Sequence, residues 1–260
     1  MNLQRTIRNE ISTSGIGLHT ANLTKITFKP APINYGIRFV RTDLKDRPEI
    51  IASYQNVLGV IRGTTIGLNK EIIVYTVEHL LSALFAFGID NLIIELDNNE
   101  PPVFDGSAKR FVEMIKEAGV IDQCAEKKFI VLEEPVKYFV DDKANAVEIT
   151  AYPSTEFKVD YSIDYKHPLV GKQHIALTIT PENFESEISY ARTFCFDYEI
   201  ESLKRSGLAK GGGLENTIVI GADRIYSTEK LRYENEFVRH KLLDLIGDLA
   251  LLGRQIKAYI

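Results

Sequence analysis

The stretch EFVRHKLLDLIGDLALLG, residues 236–253, decides how the chain is read. Val238, Leu242, Leu243, Leu245, Ile246, Leu249, Leu251 and Leu252 leave almost no face of this segment polar, so its helix, expected over about 235–252, is predicted to be buried. His240, Asp244 and Asp248 interrupt the apolar pattern at i, i+4 and i+8 and form one polar line, because residues four apart stack on one helix face. Buried carboxylates are unfavourable unless they are paired or bind a cation. Taken alone, the HxxxD pair is first read as a core histidine bonded to Asp244, with Asp248 capping a nearby group. The other reading makes His240 and Asp244 two ligands of one metal ion. Catalytic zinc sites use three nitrogen or oxygen ligands and leave a position open, so a third ligand must then come from elsewhere.

The candidate lies in TVEHLLSALFAFG, residues 76–88. Val77, Leu80, Leu81, Leu84 and Phe85 follow the spacing of a helix stripe between Thr76 and Phe87, and Gly88 can close it. His79 sits on that helix. By itself it reads first as a satisfied core histidine, but it is better placed than His19, in an N-terminal turn, or His167 and His174, beside a strand connection. Glu78 next to it is a carboxylate free to take a proton from water activated by a metal.

Around these helices, short alternating runs such as 25–28 and 37–40 predict antiparallel strands. A strand is expected from Asn91 to Leu96, then a turn at PPVFDGSA, then a helix spaced by Phe111, Met114, Ile115 and Ala118 and ended by Gly119. The polar stretch 122–128 shows no apolar period and is read as a domain boundary. Strands over 129–179, a mixed region over 181–221 and the closing helix then repeat the order of the first unit. The expectation is an α+β protein of two units, 1–125 and 126–260, with a shared cleft.

Composition restricts the function classes. The 260 residues are 45% hydrophobic and 26% charged, with a formal net charge of −5 and no long block of one sign, which gives nucleic acid no footprint. Cys124 and Cys195 form no ligand spacing and are read as packing residues in a reducing compartment. With no apolar run of membrane-span or signal-peptide length, a cytoplasmic protein is expected.

The strings TVEH (76–79), PPVFDGSA (101–108), ARTF (191–194) and RHKLLDLIGDL (239–249) resemble the UDP-3-O-acyl-N-acetylglucosamine deacetylases of lipid A synthesis. SGIGLHT (14–20), GIDN (88–91), IDYKHP (163–168) and LRYENEFVRHK (231–241) extend the resemblance over essentially the whole chain, in order. It implies two α+β domains that sandwich their helices between sheets, a zinc ion at their interface, a monomer, and hydrolysis of the acetamide of UDP-3-O-(3-hydroxyacyl)-N-acetylglucosamine. His79, His240 and Asp244 are the implied ligands of Zn²⁺, a set that Fe²⁺ also fits. Glu78 is the implied general base, Thr193 the implied oxyanion donor, and Lys241 and Asp248 are implied to support the charge of the site.

The resemblance also assigns Asp164, Tyr165 and Lys166 to the uracil end of the substrate, with Tyr165 stacking on the ring. Phe194, Glu199 and Ile200, in an insert over about 194–221 that includes Gly211, Gly212 and Gly213, fall where the family forms a hydrophobic passage for the acyl chain. Read from residues alone, the glycine triplet is a flexible turn and Tyr165 an exposed strand-end aromatic. Asp105 reads equally as a turn residue or as a partner near the metal. The family carries a further histidine in an SGH-type segment beyond the closing helix, and this sequence stops at Ile260. The expectation is loss of an acid worth about 10²–10⁴ in rate, and a last strand left unfinished at an exposed sheet edge. The alternative function is a weakly active or inactive form that binds zinc and the UDP-sugar in a binding or regulatory role.

Overall fold

A computed structural model describes residues 2–140 and 147–260 of the chain. The first part contains β1 (Leu3–Ile7), β2 (Ile11–Ile16), β3 (Leu23–Pro30), β4 (Ile37–Arg41), β5 (Glu49–Ile51), β6 (Val57–Gly59), β7 (Thr65–Gly67), β8 (Ile73–Val74), α1 (Glu78–Ala86), β9 (Leu92–Leu96), α2 (Lys109–Ala118) and β10 (Val120–Glu126). The second contains β11 (Phe129–Val131), β12 (Val136–Val140), β13 (Val147–Pro153), β14 (Lys158–Asp164), β15 (Lys172–Thr178), α3 (Pro181–Glu187), β16 (Phe194–Phe196), α4 (Asp197–Arg205), β17 (Ile218–Ile220), β18 (Ile225–Tyr226), α5 (Glu236–Ala250) and β19 (Gln255–Tyr259).

Two sheets share one plan. The first runs β2-β3-β9-β4-β5 and the second β12-β13-β19-β14-β15, with β11 also pairing β19. In each, the last strand inserts between two hairpins, antiparallel to one neighbour (β3 or β13) and parallel to the other (β4 or β14). The expected antiparallel strands are thus present within a mixed sheet. In each part a helix immediately precedes the inserted strand: α1 before β9, and α5 before β19. Each part also carries a small three-stranded sheet, β6-β7-β8 or β16-β17-β18.

The alternating strands turn one face inward, with Ile26 and Phe28 of β3, Phe39 of β4 and Ile94 of β9 buried against the helices. One core runs from this face through α1, α2 and α5 to Val159, Ile175, Ile256 and Ala258 of the second sheet. Every residue of α1 is buried, which is more than the one stripe its spacing predicts, because sheet and helices enclose it on all sides. Gly88 and Gly119, at φ of 66° and 72°, follow α1 and α2 with the positive φ that glycine adopts without strain.

Three expectations are corrected. Most of the stretch 122–128 is not an unpatterned connection, since residues up to Glu126 belong to β10, antiparallel to β1; its alternate side chains are only partly covered, so the sequence shows no apolar period. The last strand is not at an edge: β19 pairs with β11 and β13 as well as β14. Cys124 is exposed on β10 and is no core residue, whereas Cys195 is partly buried.

Candidate metal centre

The helices α1 and α5 pack against each other in the shared core and bring their polar residues together. Nε2 of His79 lies 3.7 Å and Nε2 of His240 lies 3.4 Å from Oδ1 of Asp244, and the three ligand atoms all lie within 4.8 Å of one another. Ligands about 2.0–2.1 Å from a tetrahedral ion are themselves about 3.4 Å apart, so the spacing suits one cation. Oδ1 of Asp244 is buried without a hydrogen-bond partner, a costly arrangement for a carboxylate that a bound cation removes. Nδ1 of His240 donates to the Ala191 carbonyl at 3.0 Å, which leaves the Nε2 lone pair facing the cluster. The residues therefore fit a divalent metal ion.

Electrostatics agree with that fit. Burial, reinforced by His240, pushes His79 down to about 3, and burial also lowers His240, so both imidazoles are neutral at physiological pH. Burial raises Asp244, but His240, Lys241 and His79 outweigh it and hold the carboxyl at about 2. Lys241, whose ammonium lies 2.8 Å from Oδ2 of Asp244, is raised chiefly by that carboxylate.

Glu78 lies beside the cluster without belonging to it. Its Oε2 accepts from the Thr64 backbone N–H at 2.9 Å, and burial, with Asp244 and Asp248 adding to it, pushes it up to about 8. A cation held by the neighbouring ligands would draw that value back toward neutrality. Asp248, also raised by burial, accepts a 2.6 Å bond from the Thr64 hydroxyl. One loop residue thereby holds both non-ligand carboxylates.

These groups open on a cavity of about 310 Å³ that Thr193, Phe194 and Tyr165 also line. Thr193 is fixed by its backbone: its N–H donates to the Gly106 carbonyl at 2.8 Å. Gly106 stands at φ 86°, where a Cβ would meet the Asn216 carbonyl at 1.8 Å, so only glycine lets the FDGSA turn dock here. Asp105 plays the turn role through Ser107 and also bonds Arg232 at 2.8 Å; it bonds no ligand of the cluster. Tyr165 packs against Phe194 and Phe196 with ring centroids 6.1 and 5.6 Å away. Asp164 and Lys166 are exposed, and Asp164 faces Lys172 at 3.5 Å.

A second cavity of about 640 Å³ adjoins the first through Arg62, Gly63 and Thr76, between the β6–β7 loop and α4. Glu199 lines it and pairs with Arg62 across its mouth. Tyr198, Ser202 and Leu203 complete the lining face of α4, and Ile200 is not among the lining residues. The glycine run is not a free turn, since the Gly211 N–H is bonded to the Leu18 carbonyl at 3.0 Å.

Residues 4–260 match the family model described as UDP-3-O-acyl N-acetylglycosamine deacetylase. The chain belongs to this family. The deacetylase of Saccharophagus degradans is 45% identical over 98% of this chain and 85% of its own length, and that of Thioalkalivibrio sulfidiphilus is 46% identical over 97% and 82%. The bifunctional enzyme LpxC/FabZ of Chlorobaculum tepidum is 43% identical over 99% of this chain, which spans 60% of that relative's length. As a member of the deacetylase family, the chain has residues at its helix crossing that bear no recognisable local motif. Thr64 follows a plain Arg-Gly pair. Glu100, wholly buried with no cation, accepts from the His19 and Thr20 backbone and from the Thr20 and Thr76 hydroxyls, and so ties the N-terminal loop to the entry of α1. Arg192 and Glu236 form a buried pair at 2.9 Å that clamps the ARTF segment onto α5. Among the described residues no helix is long and apolar enough to cross a membrane.

Proposed function

We propose that the protein hydrolyses the acetamide of UDP-3-O-(3-hydroxyacyl)-N-acetylglucosamine, releasing acetate and a free amine, with His79, His240 and Asp244 holding Zn²⁺. Fe²⁺ is the other ion this donor set accepts. The observation that carries the reading is the unpartnered Oδ1 of Asp244 facing two neutral imidazoles beside a carboxylate that is not a ligand. When bound, the ion polarises the acetamide carbonyl and makes water more acidic. Glu78 accepts the proton of the attacking water, a role suited to a carboxyl whose affinity for protons burial raises well above the ordinary value. Thr193, on the cavity wall, offers a hydroxyl to the oxyanion that develops on the substrate. Lys241 supplies positive charge on the same wall, and Asp248 keeps the cavity's field negative on the opposite side of Thr64.

The substrate's remaining parts are assigned by chemistry. The ring of Tyr165, braced by two phenylalanines, offers a face for the uracil, with Asp164 and Lys166 at the rim. The adjoining cavity, walled by Ile61, Leu203 and Leu208, suits an acyl chain, with Glu199 on its lining, Ile200 on the same helix and Phe194 on the preceding strand β16. Lipid A synthesis in the cytoplasm is the pathway and location this reading implies. Acetate release from the UDP-sugar by Zn²⁺-loaded protein tests it. Glu78→Ala is expected to keep the metal and lose about 10²–10⁴ in kcat, and His79→Ala to lose metal and activity together. A Glu78→Ala protein with undiminished kcat would remove the carboxylate from the chemistry.

A further inference from the structure

We propose that Gly247 is a positioning residue of the metal centre: its missing side chain sets the separation of α1 and α5 at which His79 reaches the ligand pair His240 and Asp244. The inference rests on the metal reading above and concerns how the chain builds that site. Gly247 is buried in α5, three residues after Asp244 and one before Asp248. A Cβ at this position would stand 2.1 Å from the carbonyl oxygen of Glu78, 2.7 Å from its carbonyl carbon and 2.8 Å from its Cα. Ordinary carbon–oxygen contacts lie near 3.3 Å or beyond, so a methyl group requires the helices to part by about 1 Å. The obstructing atoms are backbone, not the end of a side chain that can rotate away.

The consequence for the site follows from where that backbone lies. Glu78 opens α1 and immediately precedes the ligand His79. Because α1 is buried along its whole length, the displacement cannot be relieved by a sideways shift into solvent. Metal–ligand distances tolerate only about 0.2 Å, so moving one ligand of three by several times that amount leaves a cation poorly held. Helix propensity argues in the opposite direction, since alanine in a helix interior is preferred to glycine. The two considerations predict opposite results for the same substitution.

The test is Gly247→Ala, read by competition for Zn²⁺ against a chromophoric chelator and by the visible spectrum of the Co²⁺ form, with no substrate present. The expected result is a Zn²⁺ affinity lowered about tenfold or more, as for losses in the support of metal ligands, with an altered Co²⁺ spectrum. Leu243→Ala, which truncates a core side chain on the same helix, is expected to lower Tm while leaving Zn²⁺ affinity at the wild-type value. A Gly247→Ala protein with wild-type affinity and spectrum overturns the inference, as does an equal loss of affinity in Leu243→Ala. If Gly247→Ala is too unstable to isolate without metal, the Zn²⁺ concentration that half suppresses its proteolysis is read instead. It is expected to rise tenfold or more above that of Leu243→Ala measured in the same way, and a concentration equal to that of Leu243→Ala overturns the inference. A wild-type chain that takes up no Zn²⁺ refutes the metal reading itself, whereas uptake by wild type and variant alike refutes only the role of Gly247.

Discussion

Asp244→Asn separates what the carboxylate does for the fold from what it does for the metal. In the metal-free protein Oδ1 is buried and unpartnered, 3.4 Å and 3.7 Å from the two imidazole Nε2 atoms. An asparagine of the same shape keeps its oxygen for Lys241 and turns a neutral amide toward the imidazoles, so the charge of the pair with Lys241 is lost. Metal-free stability should therefore fall, and the effect of the ion is read within each protein as the difference between its two scans. Zn²⁺ at one hundred times its Kd stabilises the wild-type fold by about 2.7 kcal/mol. With an unfolding entropy of about 2.1 cal/mol/K per residue over 260 residues, roughly 0.55 kcal/mol/K in total, this raises Tm by about 5 °C. Scanning calorimetry of both proteins, with chelator and with the same Zn²⁺ concentration, is expected to show that rise in the wild type and its near absence in Asp244→Asn. An undiminished rise in the variant would refute Asp244 as a ligand.

Glu236→Gln leaves the Arg192 guanidinium buried opposite a neutral amide; breaking a buried pair in this way is worth about 3–5 kcal/mol, or roughly 5–9 °C in Tm by the same conversion. A thermal melt showing no more change than a surface substitution would remove the clamp from the account. The Asp105 carboxyl is pushed up by burial, but the bonds from Ser107 and Arg232 outweigh this and hold it below the ordinary carboxylate value. Its contribution to stability is accordingly full above about pH 4, near its unfolded value, and disappears as pH falls through the lower folded value. Melts of metal-free wild type and Asp105→Asn at decreasing pH should converge in acid, and a constant difference down to pH 3 would contradict this sign.

The sequence made the helices and the candidate His/Asp cluster accessible because both are encoded locally. A polar line at intervals of four in an otherwise apolar segment marks His240, Asp244 and Asp248, and α1 shows its apolar spacing around His79. The supporting residues were not readable in the same way. Thr64 reaches Asp248 across 184 positions and Glu100 reaches His19 across 81, so neither carries a pattern in its own neighbourhood. The parallel pairings of β9 with β4 and of β19 with β11 and β14 are likewise long-range. Alternation tells which face of a strand is wet, but not which strand lies beside it. For β10 even the alternation was muted, since its inward residues are only partly covered.

The repeated strand order has a mechanical consequence for the ion. Since α1 and α5 occupy matching stations in two look-alike halves, neither half alone owns the complete set of candidate donors, and a cation held by them would work as a rivet through their seam. Its grip then depends on how firmly the halves are docked, so occupancy should fail when the seam loosens, before either sheet comes apart.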